Sequence, residues 1–182
     1  GWETGRYDDP TQSPTFMERW ANRSSDSLRF RLKIAETILS PHVAGKKVVE
    51  LGCGSGLLAH RLISAGAQSY LGVDIAEAAI EQAKKDARTA GITAKAAFRQ
   101  GEINNLPEDD ADIVFSLGLL DWLDDAELET VFKHYGNTDF LHAISERQWA
   151  VTQTIHKLYC YVSYGYKNPE YVPRYFSISE MQ

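Results

Sequence analysis

Cysteine is scarce: Cys53 and Cys160 are the only two among 182 residues. A disulfide-stapled scaffold and a zinc site built on cysteines are therefore excluded. No apolar run approaches the roughly 20 residues that a membrane-spanning helix needs. The N-terminal Gly-Trp-Glu-Thr-Gly-Arg lacks the basic-then-apolar pattern of a secretory leader. These absences give the expectation of a cytoplasmic protein with no membrane partner. No basic footprint stands out either. The net charge is −6, and residues 47–130 carry fifteen acidic against seven basic side chains. Nucleic acid, a polyanion, is thus a disfavoured partner. No repeat and no low-complexity tract is present. With 43% hydrophobic and 24% charged residues, composition is that of an ordinary globular domain. At this length one domain is expected over 1–182. A start Met is lacking, from which we expect that some N-terminal residues were removed or are not shown.

What is present reads as alternating strands and helices. Residues 1–27 are polar and turn-rich but hold Trp2, Tyr7, Phe16 and Trp20, predicting a packed irregular arm with a short helix near 16–21. Leu28, Leu32, Ala35 and Leu39 recur at helical spacing, with Ile34 and Ile38 beside them, and Pro41 ends that helix. Strands are predicted at 47–52, 69–74, 96–100, 112–116 and 139–144. Helices are predicted at 57–65, closed by Gly66, at 76–90, closed by Gly91, and at 125–134. This alternation predicts an α/β fold with a doubly wound, mostly parallel sheet. We divide the chain into an arm and helix (1–45), an α/β core (46–146) and an aromatic-rich, substrate-side segment (147–182). A helix is predicted at 147–163. Ser177 and Glu180 fit a capping box that would open another helix just before the chain stops. Further helix and strands are therefore expected beyond Gln182.

The strongest local signal is Glu50-Leu51-Gly52-Cys53-Gly54-Ser55-Gly56. It follows the first strand, where an open α/β sheet binds its ligand. The dinucleotide fingerprint requires Gly at the position of Leu57, and no Gly-Lys-Ser/Thr of a phosphate loop follows. This stretch resembles, nearly residue for residue, the first motif of the class I S-adenosylmethionine-dependent methyltransferases. S-adenosylmethionine carries a sulfonium and an ammonium but no phosphate. A carboxylate such as Glu50 suits it, directly or through water. Asp74 lies 22 residues after Gly52, where an acid accepts hydrogen bonds from ribose hydroxyls.

The resemblance implies a Rossmann-like fold, S-adenosylmethionine as cofactor and S-adenosylhomocysteine as product. It implies cofactor contacts from Glu50, Gly52, Cys53, Gly54, Gly56, Asp74, Ile75, Glu102, Ile103, Ser116 and Leu117. Ile75 and Ile103 would flank the adenine, and Glu102 would meet its amino group. Asp121 or Trp122 would face the transferred methyl. Cys53 also reads as a small packing residue. The sequence departs from the family in lacking a Pro-Gly-Gly type turn before the fifth strand, and the last two of the usual seven strands are not visible.

Methyl transfer from a sulfonium is a direct displacement, so a base is needed only where the acceptor must lose a proton. His142, Asp121 and His156 are the candidates for catalysis. Tyr7, Trp122, Glu146, Tyr164 and Tyr166 are those for substrate contact. No metal-ligand cluster is read. The reading is a methyltransferase acting on a small molecule, a sugar or other metabolite, with oxygen favoured as the methylated atom. Three alternatives stay open: a protein or RNA methyltransferase, a non-catalytic S-adenosylmethionine binder, and an NAD-dependent dehydrogenase, the last disfavoured by Leu57.

Overall fold

A computed structural model describes residues 29–106, 110–144 and 174–177. Its centre is a five-stranded, all-parallel sheet of β1 (Lys47–Leu51), β2 (Ser69–Asp74), β3 (Ala96–Gln100), β4 (Ile113–Leu117) and β5 (Asp139–Ala143). The order across the sheet is β3-β2-β1-β4-β5. The chain thus winds outward from β1 through β3, then crosses back and winds the other way from β4. The switch point lies between β1 and β4, and an open α/β sheet holds its ligand in the crevice at the carboxyl ends of the strands there. Helices α1 (residues 29–39), α2 (Ala59–Ser64), α3 (Glu77–Thr89) and α4 (Asp125–His134) flank the sheet. The doubly wound Rossmann-like fold expected from the sequence is the one observed.

Side chains of a strand alternate between faces, and the core splits accordingly. Val48, Tyr70 and Phe115 join Ala35 and Leu39 of α1, Leu62 of α2 and Ile80, Ala83 and Ala87 of α3 in one layer. Val49, Leu51, Val73 and Val114 join Val131 of α4 with Leu120 and Leu123 in the other. β4 is buried on both faces from Ile113 to Ser116, as its apolar run Ile113-Val114-Phe115 requires in a parallel sheet. On α1 the expected face is inward, with Ala35 and Leu39 buried and Leu32 packed behind them, whereas Ile34 and Ile38 remain exposed.

The expected helix at 57–65 begins two residues later, because the glycine turn runs on through Leu58 and leaves Leu57 exposed. The other elements fall within a residue of their expected bounds. α4 opens on a capping box: Asp124 Oδ1 accepts from Glu127 N, and Glu127 Oε2 accepts from Asp124 N. The arm at 1–27, the helix at 147–163 and most of the terminal capping box lie outside the described residues.

The turn after β1 is fixed by glycine. Gly56 has φ +69°, and a Cβ there would sit 2.4 Å from the Phe98 ring. Left-handed backbone costs an L-residue about 1–2 kcal/mol, and overpacking a core adds about 1–3 kcal/mol. Gly56→Ala is therefore expected to destabilise by about 3 kcal/mol in urea unfolding; an unchanged midpoint would contradict this packing.

Candidate functional site

Three strand ends are stitched together at the carboxyl edge of the sheet. The Val73 carbonyl accepts from Gly52 N at 2.8 Å and Cys53 N at 3.1 Å, tying the glycine turn to β2. Gly101 N donates to the Asp74 carbonyl at 3.0 Å, and Gln100 Nε2 donates to the Ile75 carbonyl at 3.2 Å, tying β3 to β2. Asp74 is the hub. One carboxylate oxygen accepts from Gly54 N at 2.7 Å. The other accepts from Ala76 N at 2.9 Å, a local Asx turn that opens α3. One carboxylate thus holds both the glycine turn and the start of a helix, whose N-terminal dipole favours a negative charge.

A cavity of about 280 Å³ opens beside Asp74. Leu51, Gly52 and Val73 form its floor, and Asp74, Ile75, Glu102 and Ile103 form one wall. Leu119, Trp122, Leu123 and Glu127 form the other, supplied by the β4–α4 loop and the first turn of α4. It is a mostly apolar slot rimmed by carboxylates, close to the lower end of ligand pockets, roughly 300–1,000 Å³. Ile75 is 55% exposed, an apolar side chain standing at the rim. Gly54 has φ +52° and nothing within 4 Å of the place a Cβ would occupy. Backbone is thereby laid bare toward the crevice.

The structure brings Gly52, Asp74, Ile75, Glu102, Ile103 and Trp122 together on this cavity. Gly54 stands beside it through its bond to Asp74. Gly56 packs on Phe98 and serves the turn. Cys53 is buried, and its sulfur would lie 2.7 Å from a Cβ placed on Gly72. Burial, with Glu50 and Asp74 nearby, pushes its thiol far above the ordinary range, so it is an inert packing group. Ser116 and Leu117 lie in the body of β4 rather than on the cavity.

Glu50 does not line the cavity either. It is 4% exposed on the α3 side of β1, where it accepts a hydrogen bond from the Tyr70 hydroxyl. Burial raises its pKa from 4.5 to about 8, with Tyr70 opposing and Asp74 adding to the rise. Glu50 thus stands behind the glycine turn, off the lining of the cavity.

Of the catalytic candidates, His142 lies on β5 with Nδ1 2.8 Å from Ser116 Oγ. Its ring stacks on Phe140 at 5.5 Å and meets Phe132 of α4 edge-on at 5.9 Å. Burial lowers its pKa from 6.5 to about 4, so the ring is neutral at pH 7. Asp121 is 5% exposed in the 3₁₀ turn Leu120–Trp122, beside the cavity rather than on it. Tyr7, Glu146, His156, Tyr164 and Tyr166 lie outside the described residues.

Sequence reasoning missed Glu127 and Arg174. The spacing of Asp124 and Glu127 is a capping signal that could have placed Glu127 at the helix start. No local signal announces Arg174, which reaches the site from about fifty residues away.

Residues 48–138 match the sequence profile of a methyltransferase domain. The chain belongs to the methyltransferase-domain family. Ribosomal protein L11 methyltransferase of Alteromonas mediterranea is 35% identical over 103 residues, 57% of this chain and 34% of that protein. Ubiquinone biosynthesis O-methyltransferase of Methylococcus capsulatus is 41% identical over 58 residues, 32% of this chain and 23% of that protein. This methyltransferase domain thus spans about a third or less of these curated relatives. Among solved structures, magnesium protoporphyrin IX methyltransferase of Synechocystis PCC 6803, solved with S-adenosylhomocysteine bound, superposes with TM-score 0.67. Identity is 18%, over 96% of this chain and 76% of that one. Its likeness concerns the fold. Among the described residues no helix is long and apolar enough to cross a membrane.

The buried carboxyl sets a pH dependence. Unfolded, Glu50 ionises near 4.5; folded, near 8. Between those values the unfolded chain has released a proton that the folded chain still holds. Stability therefore falls as pH rises through this window. Glu50→Gln keeps an acceptor for Tyr70 and loses the titration. Thermal melts at pH 5 and pH 8 are expected to separate more for the native protein than for the variant. Equal separations would contradict a buried neutral carboxyl.

Proposed function

We propose that this methyltransferase domain binds S-adenosylmethionine in the cavity beside Asp74 and transfers its methyl group to a small molecule, with oxygen as the favoured acceptor atom. The observation that carries this reading is the Asp74 carboxylate. It binds the glycine turn, opens α3 and lines the cavity together with Ile75 and Ile103. Each of its oxygens uses one lone pair on a backbone N–H and keeps further acceptor capacity for ribose hydroxyls. Ile75 and Ile103 supply apolar surface for the adenine, and Glu102 stands beside them. Gly52 lines the cavity under Leu119, and the open backbone at Gly54 gives the methionine part close approach. The excess of carboxylates suits a ligand with net positive charge.

The cofactor supplies a methyl group already activated on sulfur. The chain has then to orient the acceptor, exclude water and, for a hydroxyl acceptor, take a proton. His142 is neutral at pH 7, but burial makes it a weak base, and it does not line the cavity. The matched O-methyltransferase of ubiquinone biosynthesis supports a metabolite as acceptor. The matched ribosomal protein L11 methyltransferase supports the alternative of a protein substrate. We extend the expectation of a cytoplasmic location to this reading.

Calorimetric titration of the full chain with S-adenosylmethionine, S-adenosylhomocysteine and NAD tests the cofactor. Micromolar binding of the two adenosyl ligands and none of NAD is expected. Asp74→Asn leaves one charge-free oxygen for the loop and should weaken binding roughly tenfold to hundredfold, since hydrogen bonds to a charged group contribute about 1.5–3 kcal/mol. Folded protein that binds neither adenosyl ligand would overturn the reading.

A further inference from the structure

The wall of the cavity formed by Trp122 is held from outside its own loop. The 3₁₀ turn Leu120–Trp122 closes with Trp122 N on the Leu119 carbonyl at 2.9 Å, but its next bond, Leu123 N to the Leu120 carbonyl, is stretched to 3.4 Å. That lies beyond the usual 2.7–3.2 Å of an N–H···O bond. The loop therefore closes only loosely on itself where it turns into α4.

Arg174 completes it. Its backbone N–H donates to the Asp121 carbonyl at 2.6 Å, and a guanidinium N–H donates to the Leu123 carbonyl at 2.9 Å. These are the carbonyls on either side of Trp122. A second guanidinium nitrogen reaches Asp125 at 2.7 Å. The guanidinium carbon lies 5.3 Å from the centre of the Phe176 ring. Tyr175 and Phe176 are themselves buried, which anchors the segment. The planar fork of arginine suits such a set of simultaneous contacts, which a point charge could not reproduce.

We propose that Arg174 is a positioning residue of the cofactor site: by gripping the carbonyls that flank Trp122, it fixes the wall against which the cofactor lies. Arg174 thereby sets cofactor affinity without itself lining the cavity. This role rests on the cofactor reading given above. The working contact is the one to the Leu123 carbonyl. The Asp125 carboxylate is 90% exposed, and exposed ion pairs contribute little.

Three variants of the full chain, Arg174→Ala, Arg174→Lys and Asp125→Asn, separate these contributions. S-adenosylhomocysteine affinity is read by calorimetry, and amide hydrogen exchange is followed in the ligand-free proteins. Arg174→Ala is expected to weaken binding by about tenfold. Residues 118–124 should exchange faster while β1 and β2 keep their protection. Arg174→Lys should recover part of the affinity through a single donor on the Leu123 carbonyl, and Asp125→Asn should bind within about twofold of the native protein. Native affinity or native exchange over 118–124 in Arg174→Ala would overturn the proposal. Loss of protection throughout the sheet would also overturn it, by making Arg174 a general stabiliser. A native protein that exchanges slowly over 118–124, as the clamp requires, yet binds no S-adenosylhomocysteine would overturn the cofactor reading and with it this role.

Discussion

The carboxylate of Asp74 is the constraint on which the site depends. Its two oxygens accept from Gly54 and Ala76, so the turn after β1 and the helix after β2 share one anchor. A glycine turn is by itself a loose device, since glycine loses more backbone entropy on folding than any other residue. The anchor turns that freedom into one shape, with the Gly54 backbone facing the crevice. The same carboxylate stands on the cavity, so one side chain both fixes the turn and lines the crevice.

The two faces of β1 divide the remaining work. Toward α4, Val49 and Leu51 help build an apolar floor under the cavity. Toward α3, Glu50 is buried against Tyr70. An ionised carboxylate there would be costly, and burial answers by favouring the neutral form. A neutral Glu50 leaves the negative charge near the glycine turn on Asp74, at the rim, where a cationic ligand would meet it. The β4–α4 loop supplies the opposite wall, and its geometry is finished by a segment distant in sequence.

Much of the fold was legible in the sequence because its signals are local. The strand at 113–117 declares itself by the apolar run Ile113-Val114-Phe115, and α3 by an Ala-rich amphipathic stretch closed at Gly91. The glycine turn and Asp74 were legible for the same reason: their spacing is imposed by one βαβ unit. The start of α2 was misplaced because positive φ at Gly56 prolongs the turn, and a hydrophobic period does not report backbone dihedrals. For Glu50 the motif gives its position and not its face. On a strand, neighbouring side chains point to opposite sides, so Leu51 reaches the cavity and Glu50 the α3 layer. Arg174 was illegible, since a contact between residues about fifty apart leaves no mark on either local pattern. The family resemblance covered the part that local spacing could specify and fell short where the wall depends on tertiary contact.

The crevice beside Asp74 is proposed to hold an adenosyl ligand in one orientation, and crystals grown with S-adenosylhomocysteine would show it. The adenine is expected between Ile75 and Ile103, the ribose hydroxyls on the Asp74 carboxylate and the amino-acid part along the backbone of Gly52 and Gly54. Density for the ligand elsewhere, or in this cavity with the ribose turned away from Asp74, would contradict it.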